Sequence, residues 1–256
     1  MTLLAVDIGN SHTVLGLVVE GEIEAHWRVA TDERRTSDEW ALLVRGLLAE
    51  YPCDLSGIAV CSTVPAVLHE WREMLERRFA DVCSVVVEPG IRTGIPVLTD
   101  NPREVGADRI INALAAAKGY AGASIVVDFG TAITFDVVTA QGQYVGGAIA
   151  PGIEISLEAL GRRGAQLRKV ELLRPRSVIA KNTVEALQSG LVFGVAAQVD
   201  GLVARMIAEL GLAKEEVNVI ATGHLAPLVM AECASFTVHE PWLTLRGLEL
   251  VFARNS

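Results

Sequence analysis

Two short segments of the chain place an aspartate, a glycine and small polar residues directly after an apolar run. The first is Val6-Asp7-Ile8-Gly9-Asn10-Ser11-His12-Thr13, and the second is Val127-Asp128-Phe129-Gly130-Thr131-Ala132-Ile133-Thr134. A glycine at a tight turn lets a ligand approach the backbone N–H groups, and a neighbouring carboxylate can hold a cation. Each segment is therefore a candidate binding turn for a polyphosphate together with its metal ion.

The two segments also match beyond the turn. Thr13 and Thr134 each follow their aspartate by six residues, and Gly21 and Gly142 follow by fourteen. One Asp-x-Gly sequence is an ordinary turn, but two copies in register favour a duplicated β-β-β unit. We therefore expect two lobes, residues 1–121 and 122–256, whose Asp-x-Gly turns face each other across a cleft and contribute to one nucleotide site.

Other sequence solutions to phosphate binding are absent. The chain contains neither G-x-x-x-x-G-K-[ST] nor G-x-G-x-x-G, which excludes the P-loop and the dinucleotide-binding fingerprint. A third glycine turn, Ala221-Thr222-Gly223-His224, follows an apolar strand and would let a flat base approach the main chain. These features together point to a two-lobed phosphotransferase.

Composition limits the partners of this protein. The chain has 256 residues, a hydrophobic fraction of 51% and a net charge of −9, so we expect a compact enzyme that repels nucleic acid and anionic membranes. The four cysteines show no metal-ligand spacing, and a secretory signal is not evident, which predicts a cytoplasmic protein. Charged residues interrupt the apolar stretch 190–212, which favours a buried or interface helix over a membrane span.

Apolar spacing predicts an α/β arrangement. Helices are expected over 36–50, 65–79, 103–120 and 182–210, with a further helix ending near Gly161. Short strands are expected over 58–61, 84–87 and 217–221, in addition to the strands of the two β-β-β units.

Six ordered segments resemble the type III pantothenate kinases, a family within the superfamily of acetate and sugar kinases, heat-shock chaperone ATPases and actin. They are 7–11, 101–109, 128–132, 146–152, 181–183 and 221–223. The resemblance implies a duplicated ribonuclease H-like (actin-like ATPase) fold, with two lobes of mixed sheets flanked by helices. It also implies transfer of the ATP γ-phosphate to pantothenate, a homodimer with substrate pockets at the interface, and dependence on Mg²⁺ and on K⁺ or NH₄⁺.

The resemblance assigns roles to individual residues. Asp108 is the expected proton acceptor, and Asp128 is expected at the monovalent cation. ATP contacts are expected from Thr131 and from the first turn, Asp7, Ile8, Gly9, Asn10, Ser11, His12 and Thr13. Pantothenate contacts are expected from Thr99, Gly106, Ala107, Asp108, Arg109 and Thr183, with Arg109 facing the pantothenate carboxylate. Judged without the family, Asp108 and Arg109 fit equally well as a surface pair early in a helix.

Two positions depart from the family pattern. Thr99 stands where a substrate-contacting tyrosine is common, and His224 stands where a second glycine is common. Because Thr99 lacks an aromatic ring, we expect it either to weaken pantothenate binding or to change the shape that the pocket accepts. His224 either alters nucleotide preference or is a surface residue without effect.

Two other functions remain open from the residues alone. A nucleotide-sensing regulator would keep the cleft without catalysis, and a phosphatase or nucleotidase would use water as the nucleophile. The presence of Asp108, Arg109 and Thr183 disfavours the regulator, and the full match of the 101–109 segment disfavours the hydrolase.

Overall fold

The computed structural model describes residues 1–51, 53–88, 90–163 and 170–256. The chain divides into two compact units. The first contains residues 1–95, 100–115 and 243–256, and the second contains residues 96–99 and 116–242. The first unit therefore draws segments from both ends of the sequence. The predicted boundary between lobes 1–121 and 122–256 is placed where the second β-β-β unit begins, and it stays a prediction.

The first unit is built on a five-stranded mixed sheet. Its strands are β1 (Thr2–Ile8), β2 (His12–Val19), β3 (Glu22–Ala30), β4 (Gly57–Ser62) and β5 (Cys83–Val86), in the spatial order β3-β2-β1-β4-β5. The pairs β1/β2 and β2/β3 are antiparallel hairpins, whereas β1/β4 and β4/β5 are parallel. Because β1 and β4 are parallel and in register, their C-terminal ends lie side by side.

Three helices follow in the same part of the sequence, namely α1 (Ser37–Leu48), α2 (Pro65–Arg78) and α3 (Ala107–Gly119), with a 3-10 turn at Pro102–Glu104. Thr36 caps α1: its hydroxyl accepts from the Glu39 N–H, and its own N–H donates to the Glu39 carboxylate. The α1 and α2 faces meet through Trp40 and Trp71, whose ring centroids are 5.4 Å apart. These tryptophans pack with Leu4, Val6 and Ile8 of β1 in one buried cluster.

The second unit repeats this sheet. Its strands are β6 (Ala123–Phe129), β7 (Ala132–Val138), β8 (Tyr144–Pro151), β9 (Val217–Thr222) and β10 (Val238–His239), in the spatial order β10-β9-β6-β7-β8. The pairs β6/β7 and β7/β8 are antiparallel, and β6/β9 and β9/β10 are parallel. The order and the directions match those of the first sheet, so the predicted duplication is confirmed.

The two hairpin turns differ by one residue, contrary to the equal spacing of Thr13 and Thr134. In the first copy Thr13 pairs with Ile8, whereas in the second copy Ile133 pairs with Phe129. The structural counterpart of Thr13 is therefore Ile133, and the predicted equivalence of Thr13 and Thr134 is wrong. Gly21 and Gly142 still follow their aspartates at equal spacing, because the β7–β8 connection is longer than the β2–β3 connection.

The helices of the second unit are α4 (Ile153–Arg163), α5 (Thr183–Leu210) and the short α6 (Ala226–Val229). The Asn182 side chain accepts from the Glu185 N–H at the start of α5, and Gly211 ends the helix in the left-handed region. Among the described residues, α5 is the one helix that is long and apolar enough to cross a membrane by length and composition. It packs Val199, Val203 and Ile207 into the second core.

The last helix, α7 (Leu243–Asn255), belongs to the first unit and packs on β1, β2 and β4. Its buried side chains include Leu245, Leu248, Val251 and Phe252. With the cluster of Trp40 and Trp71 on one face and α7 on the other, strand β1 is buried on both faces of the sheet.

Candidate active site

The first Asp-x-Gly turn lies between β1 and β2. Asp7 is the penultimate residue of β1, Gly9 donates its N–H to the His12 carbonyl, and Asn10 and Ser11 are exposed at the tip. The turn is thus a closed loop that presents small polar residues to solvent, as a phosphate-binding turn requires.

Thr13 braces this turn from inside. Its side chain is fully buried, and its Oγ1 lies 2.9 Å from Oγ1 of Thr31 at the start of the loop after β3. Thr31 Oγ1 donates to the Gly9 carbonyl at 2.7 Å, and the Thr31 N–H donates to the Ser11 carbonyl. Thr31 therefore joins three points of the turn, and it is a residue that sequence reasoning missed.

Asp7 and Asp108 are two interacting carboxyl groups of the first unit, and both have a raised pKa. Burial, together with the negative charge of Asp108, raises the pKa of Asp7 to about 7, and a hydrogen bond from Cys61 opposes both effects. Cys61 Sγ donates to Asp7 Oδ1 at 3.3 Å from the neighbouring end of β4. Burial also raises the pKa of Asp108, against hydrogen bonds from backbone N–H groups and the charge of Arg109.

The position of Asp108 depends on Gly106. Asp108 is the second residue of α3, and its carboxylate folds back so that a Cβ at position 106 would lie 2.5 Å from Oδ1. Such an overlap excludes any side chain at position 106 while Asp108 keeps this conformation. The conformation of Asp108 therefore depends on a glycine at position 106.

The oxygen donors of this pair fit a divalent cation. Asp7 and Asp108 are half-buried carboxylates whose charges repel, and carboxylate oxygens are the ligands that Mg²⁺ prefers. A cation bound at Asp7 would offset both causes of its raised pKa, the burial of the carboxyl and the negative charge of Asp108.

In the second unit, the glycine turn after β9 approaches Asp128. Gly223 has a φ of +87°, and a Cβ there would lie 2.5 Å from Asp128 Oδ1 and 2.6 Å from the Phe129 nitrogen. Thr131 accepts the Gly152 N–H through its carbonyl, which ties the second Asp-x-Gly turn to the start of α4. The Gly223 turn therefore lies against Asp128, and Thr131 is joined to the residue before α4.

His224 and Thr99, the two departures from the family pattern, have different surroundings. His224 Nε2 lies 3.7 Å from Glu154 Oε1, near the start of α4. Thr99 is half-buried, and its Oγ1 is inaccessible to solvent and has no hydrogen-bond partner among the described residues. A buried hydroxyl without a partner is costly in a folded protein, which marks Thr99 as a place where a polar ligand group would be stabilising.

Two further polar groups in the second unit were not anticipated. Asp136 is fully buried on β7 and accepts hydrogen bonds from Tyr144 and Thr134, each at 3.0 Å. Thr134 is the cross-strand partner of Asp128. The predicted substrate residue Thr183 is exposed at the first position of α5.

Comparisons with known proteins place the chain in a family. A family model described as type III pantothenate kinase matches residues 3–205. The chain belongs to the type III pantothenate kinases. A relative of that name from Nocardioides sp. is 74% identical over 257 residues and covers 100% of both chains. Another, from Streptomyces griseus subsp. griseus, is 61% identical over 260 residues, covering 99% of this chain and 98% of the relative.

Solved structures support the fold of this type III pantothenate kinase. Ethanolamine utilization protein EutJ from Carboxydothermus hydrogenoformans has a TM-score of 0.56 at 18% identity, covering 100% of this chain and 90% of that chain. A ROK family glucokinase from Streptomyces griseus has a TM-score of 0.52 at 12% identity, covering 97% and 98%. The two duplicated mixed sheets and these neighbours confirm the predicted actin-like ATPase fold.

Proposed function

We propose that this chain transfers the γ-phosphoryl group of ATP to the primary hydroxyl of pantothenate, with Asp108 as the general base. Membership of the type III pantothenate kinases makes the protein a phosphotransferase that forms 4′-phosphopantothenate in coenzyme A biosynthesis. The observation that carries the residue assignment is the half-buried pair Asp7, near the C-terminal end of β1, and Asp108, in the first turn of α3.

Asp108 orients the attacking hydroxyl and accepts its proton as the new P–O bond forms and the bond to the ADP oxygen breaks. An aliphatic alcohol does not ionise before attack, and phosphoryl transfer has a loose transition state. Positioning and charge neutralisation therefore carry most of the rate, and the base takes the proton late. The raised pKa of Asp108 supports this role because it brings the carboxyl closer to neutral pH.

The phosphates of ATP lie along the turn from Asp7 to Thr13, with a further contact from Thr131. Asn10 and Ser11 at the exposed tip, and the backbone N–H groups beside them, supply the hydrogen-bond donors. Kinases use ATP with a divalent metal, and Asp7 supplies an oxygen ligand on this side of the nucleotide. When bound, that ion neutralises charge on the phosphate oxygens.

Pantothenate contacts Gly106, Ala107, Asp108 and Arg109, with the Arg109 guanidinium facing its carboxylate. The partnerless Thr99 hydroxyl supports a polar contact at the position where the family commonly has tyrosine. Thr183 adds a contact from the start of α5.

Asp128 holds K⁺ or NH₄⁺ beside the second turn. The close approach of the Gly223 backbone and the tie between Thr131 and Gly152 support a small, oxygen-lined position at this carboxylate. The monovalent ion adds positive charge near the second turn without the strict geometry of Mg²⁺.

The protein forms a cytoplasmic homodimer with the pantothenate pocket at the subunit interface. Exposed apolar side chains on the second unit support such an interface, since monomeric proteins rarely expose a large apolar surface. They are Val145 and Ile149 on β8, Ile155 and Leu160 on α4, and Val178, Ile179 and Val184 around the start of α5.

The testing experiment is a coupled ADP-release assay with Mg²⁺ and ATP, with and without pantothenate, in K⁺, NH₄⁺ or Na⁺ alone. ADP release that needs pantothenate and is stimulated by K⁺ or NH₄⁺ is the expected result. ADP release without pantothenate would favour a hydrolase, and ATP binding without turnover would favour a regulator. Sedimentation of the wild type and of Ile149→Glu tests the dimer separately.

A further inference from the structure

Helix α7 is seated on the first sheet in one register. A Cβ at Gly16 of β2 would lie 2.5 Å from Leu245 Cδ1, and a Cβ at Gly57 of β4 would overlap the Phe252 ring. Both side chains are buried, so each one fills the space that a missing side chain leaves on the sheet. Sliding or rotating α7 would require both contacts to break together.

The same helix touches α3 through its backbone. A Cβ at Gly247 would lie 2.5 Å from the Ile111 carbonyl oxygen, so the two helices approach closely at this point. Beside it, Thr244 Oγ1 donates a hydrogen bond to Asn112 Oδ1 at 2.8 Å, and Asn112 is 1% exposed. A close backbone contact and a partly buried hydrogen bond therefore fix the same turn of α3.

That turn of α3 follows directly after Asp108 along the helix. Ile111 and Asn112 follow Asp108 by three and four residues, the spacing at which helical residues share a face. The carboxylate of Asp108 sits against Gly106 in the preceding turn. A shift of α3 at Asn112 would therefore move Asp108 relative to Asp7 on β1, the strand on which α7 also packs.

We propose that Thr244 and Gly247 of α7 are positioning residues for catalysis, which hold α3 so that Asp108 stays aligned for proton transfer. This inference rests on the proposed role of Asp108 as general base. It extends the catalytic apparatus to residues 243–255, which lie outside the matched segment 3–205 of the family model.

The test combines steady-state kinetics with a double-mutant cycle. Thr244→Val removes the hydroxyl at nearly constant shape, and Thr244→Ser keeps it. We expect Thr244→Val to lower kcat about tenfold, since small misplacements of catalytic groups have large effects, while the KM for ATP changes less than about twofold. Thr244→Ser should restore most of the loss.

The cycle repeats Thr244→Val in an Asp108→Asn background. If Thr244 acts through Asp108, the effects of the two substitutions are not additive. Adding Thr244→Val to Asp108→Asn should then change the turnover of that variant by less than about twofold. Thr237→Val is the matched control: it removes a hydroxyl that accepts from Val219 N–H and donates to the Val219 carbonyl in the second unit. It should lower thermal stability without this change in kcat.

An unchanged kcat in Thr244→Val, or the same factor of loss in both backgrounds, overturns the inference. Near-normal turnover in Asp108→Asn alone overturns the proposed base instead, so the two failures are distinguishable. If Thr244→Val does not fold, Gly247→Ala replaces it in the same cycle, because its methyl group meets the Ile111 carbonyl and must displace α3.

Discussion

The thiol of Cys61 donates a hydrogen bond to the carboxylate of Asp7 across 3.3 Å. The two residues are register partners on the parallel strands β4 and β1, so the sheet itself sets this contact. A thiol is a weak donor and compensates little for lost hydration. The pKa of Asp7 therefore stays raised, at about 7, despite this hydrogen bond.

Asp7→Asn should stabilise the ligand-free protein at pH 8. A carboxyl whose pKa is about 7 in the folded chain and 3.8 in the unfolded chain binds its proton more tightly when folded. Its unfavourable contribution is absent below about pH 4, grows between about pH 4 and 7, and reaches up to about 4 kcal/mol above that range. Urea denaturation at pH 5 and pH 8 measures the difference.

The stability gain of Asp7→Asn should shrink at pH 5, and ATP turnover should be lost at both pH values. The exposed Asp54→Asn serves as the control with little effect on either quantity. A variant less stable than wild type at pH 8 would contradict the raised pKa.

Asp108→Asn should lower turnover by about 10²- to 10⁴-fold, the usual range for loss of a general base. The amide keeps the shape of the side chain but cannot accept the hydroxyl proton. The dissociation constant of ATP, measured by calorimetry, should stay within about threefold of wild type because positioning of the nucleotide is assigned to other residues. Turnover near the wild-type rate would remove Asp108 from this role.

Asp128→Ala should blunt the stimulation of activity by K⁺ or NH₄⁺. The substitution removes the one carboxylate assigned to the monovalent cation, so titration of either ion should give a flatter response than in wild type. Asp54→Ala is the matched control on an exposed loop. An unchanged cation titration would refute the assignment of Asp128.

Thr31→Val should raise the KM for ATP about tenfold with a smaller effect on kcat. Loss of the hydroxyl removes the hydrogen bond to the Gly9 carbonyl and leaves Thr13 Oγ1 without its partner, which costs roughly 1–3 kcal/mol for a buried group. Thr31→Ser keeps the hydroxyl and should behave as wild type. Equal KM values for all three proteins would show that the turn holds its conformation without Thr31.

Local signals in the sequence predicted most of the elements. Thr36 with Glu39 is a capping box, Pro65 begins α2, and Asn182 caps α5, so these helices start within a residue or two of their expected positions. The duplicated sheets followed from the repeated Asp-x-Gly turns, because two copies of one pattern constrain each other more than either does alone.

Local sequence patterns could not predict contacts between segments that are distant in the sequence. Thr31 reaches Gly9 from the end of β3, and Cys61 reaches Asp7 from a strand that only the folded sheet places beside it. The extra residue in the first hairpin was hidden because Gly21 and Gly142 kept equal spacing through a later, longer connection. The place of α7 on the first unit depended on packing rather than on any local motif.

The first unit is formed by three separate segments, residues 1–95, 100–115 and 243–256, and this order affects when it can fold during synthesis. Its sheet strands leave the ribosome early, but the spaces at Gly16 and Gly57 stay unfilled until Leu245 and Phe252 have been made. Domains whose segments are contiguous can fold as they emerge. Here the α7 face of the first sheet stays uncovered until residues 243–256 have been made, which is after the strands and helices of the second unit.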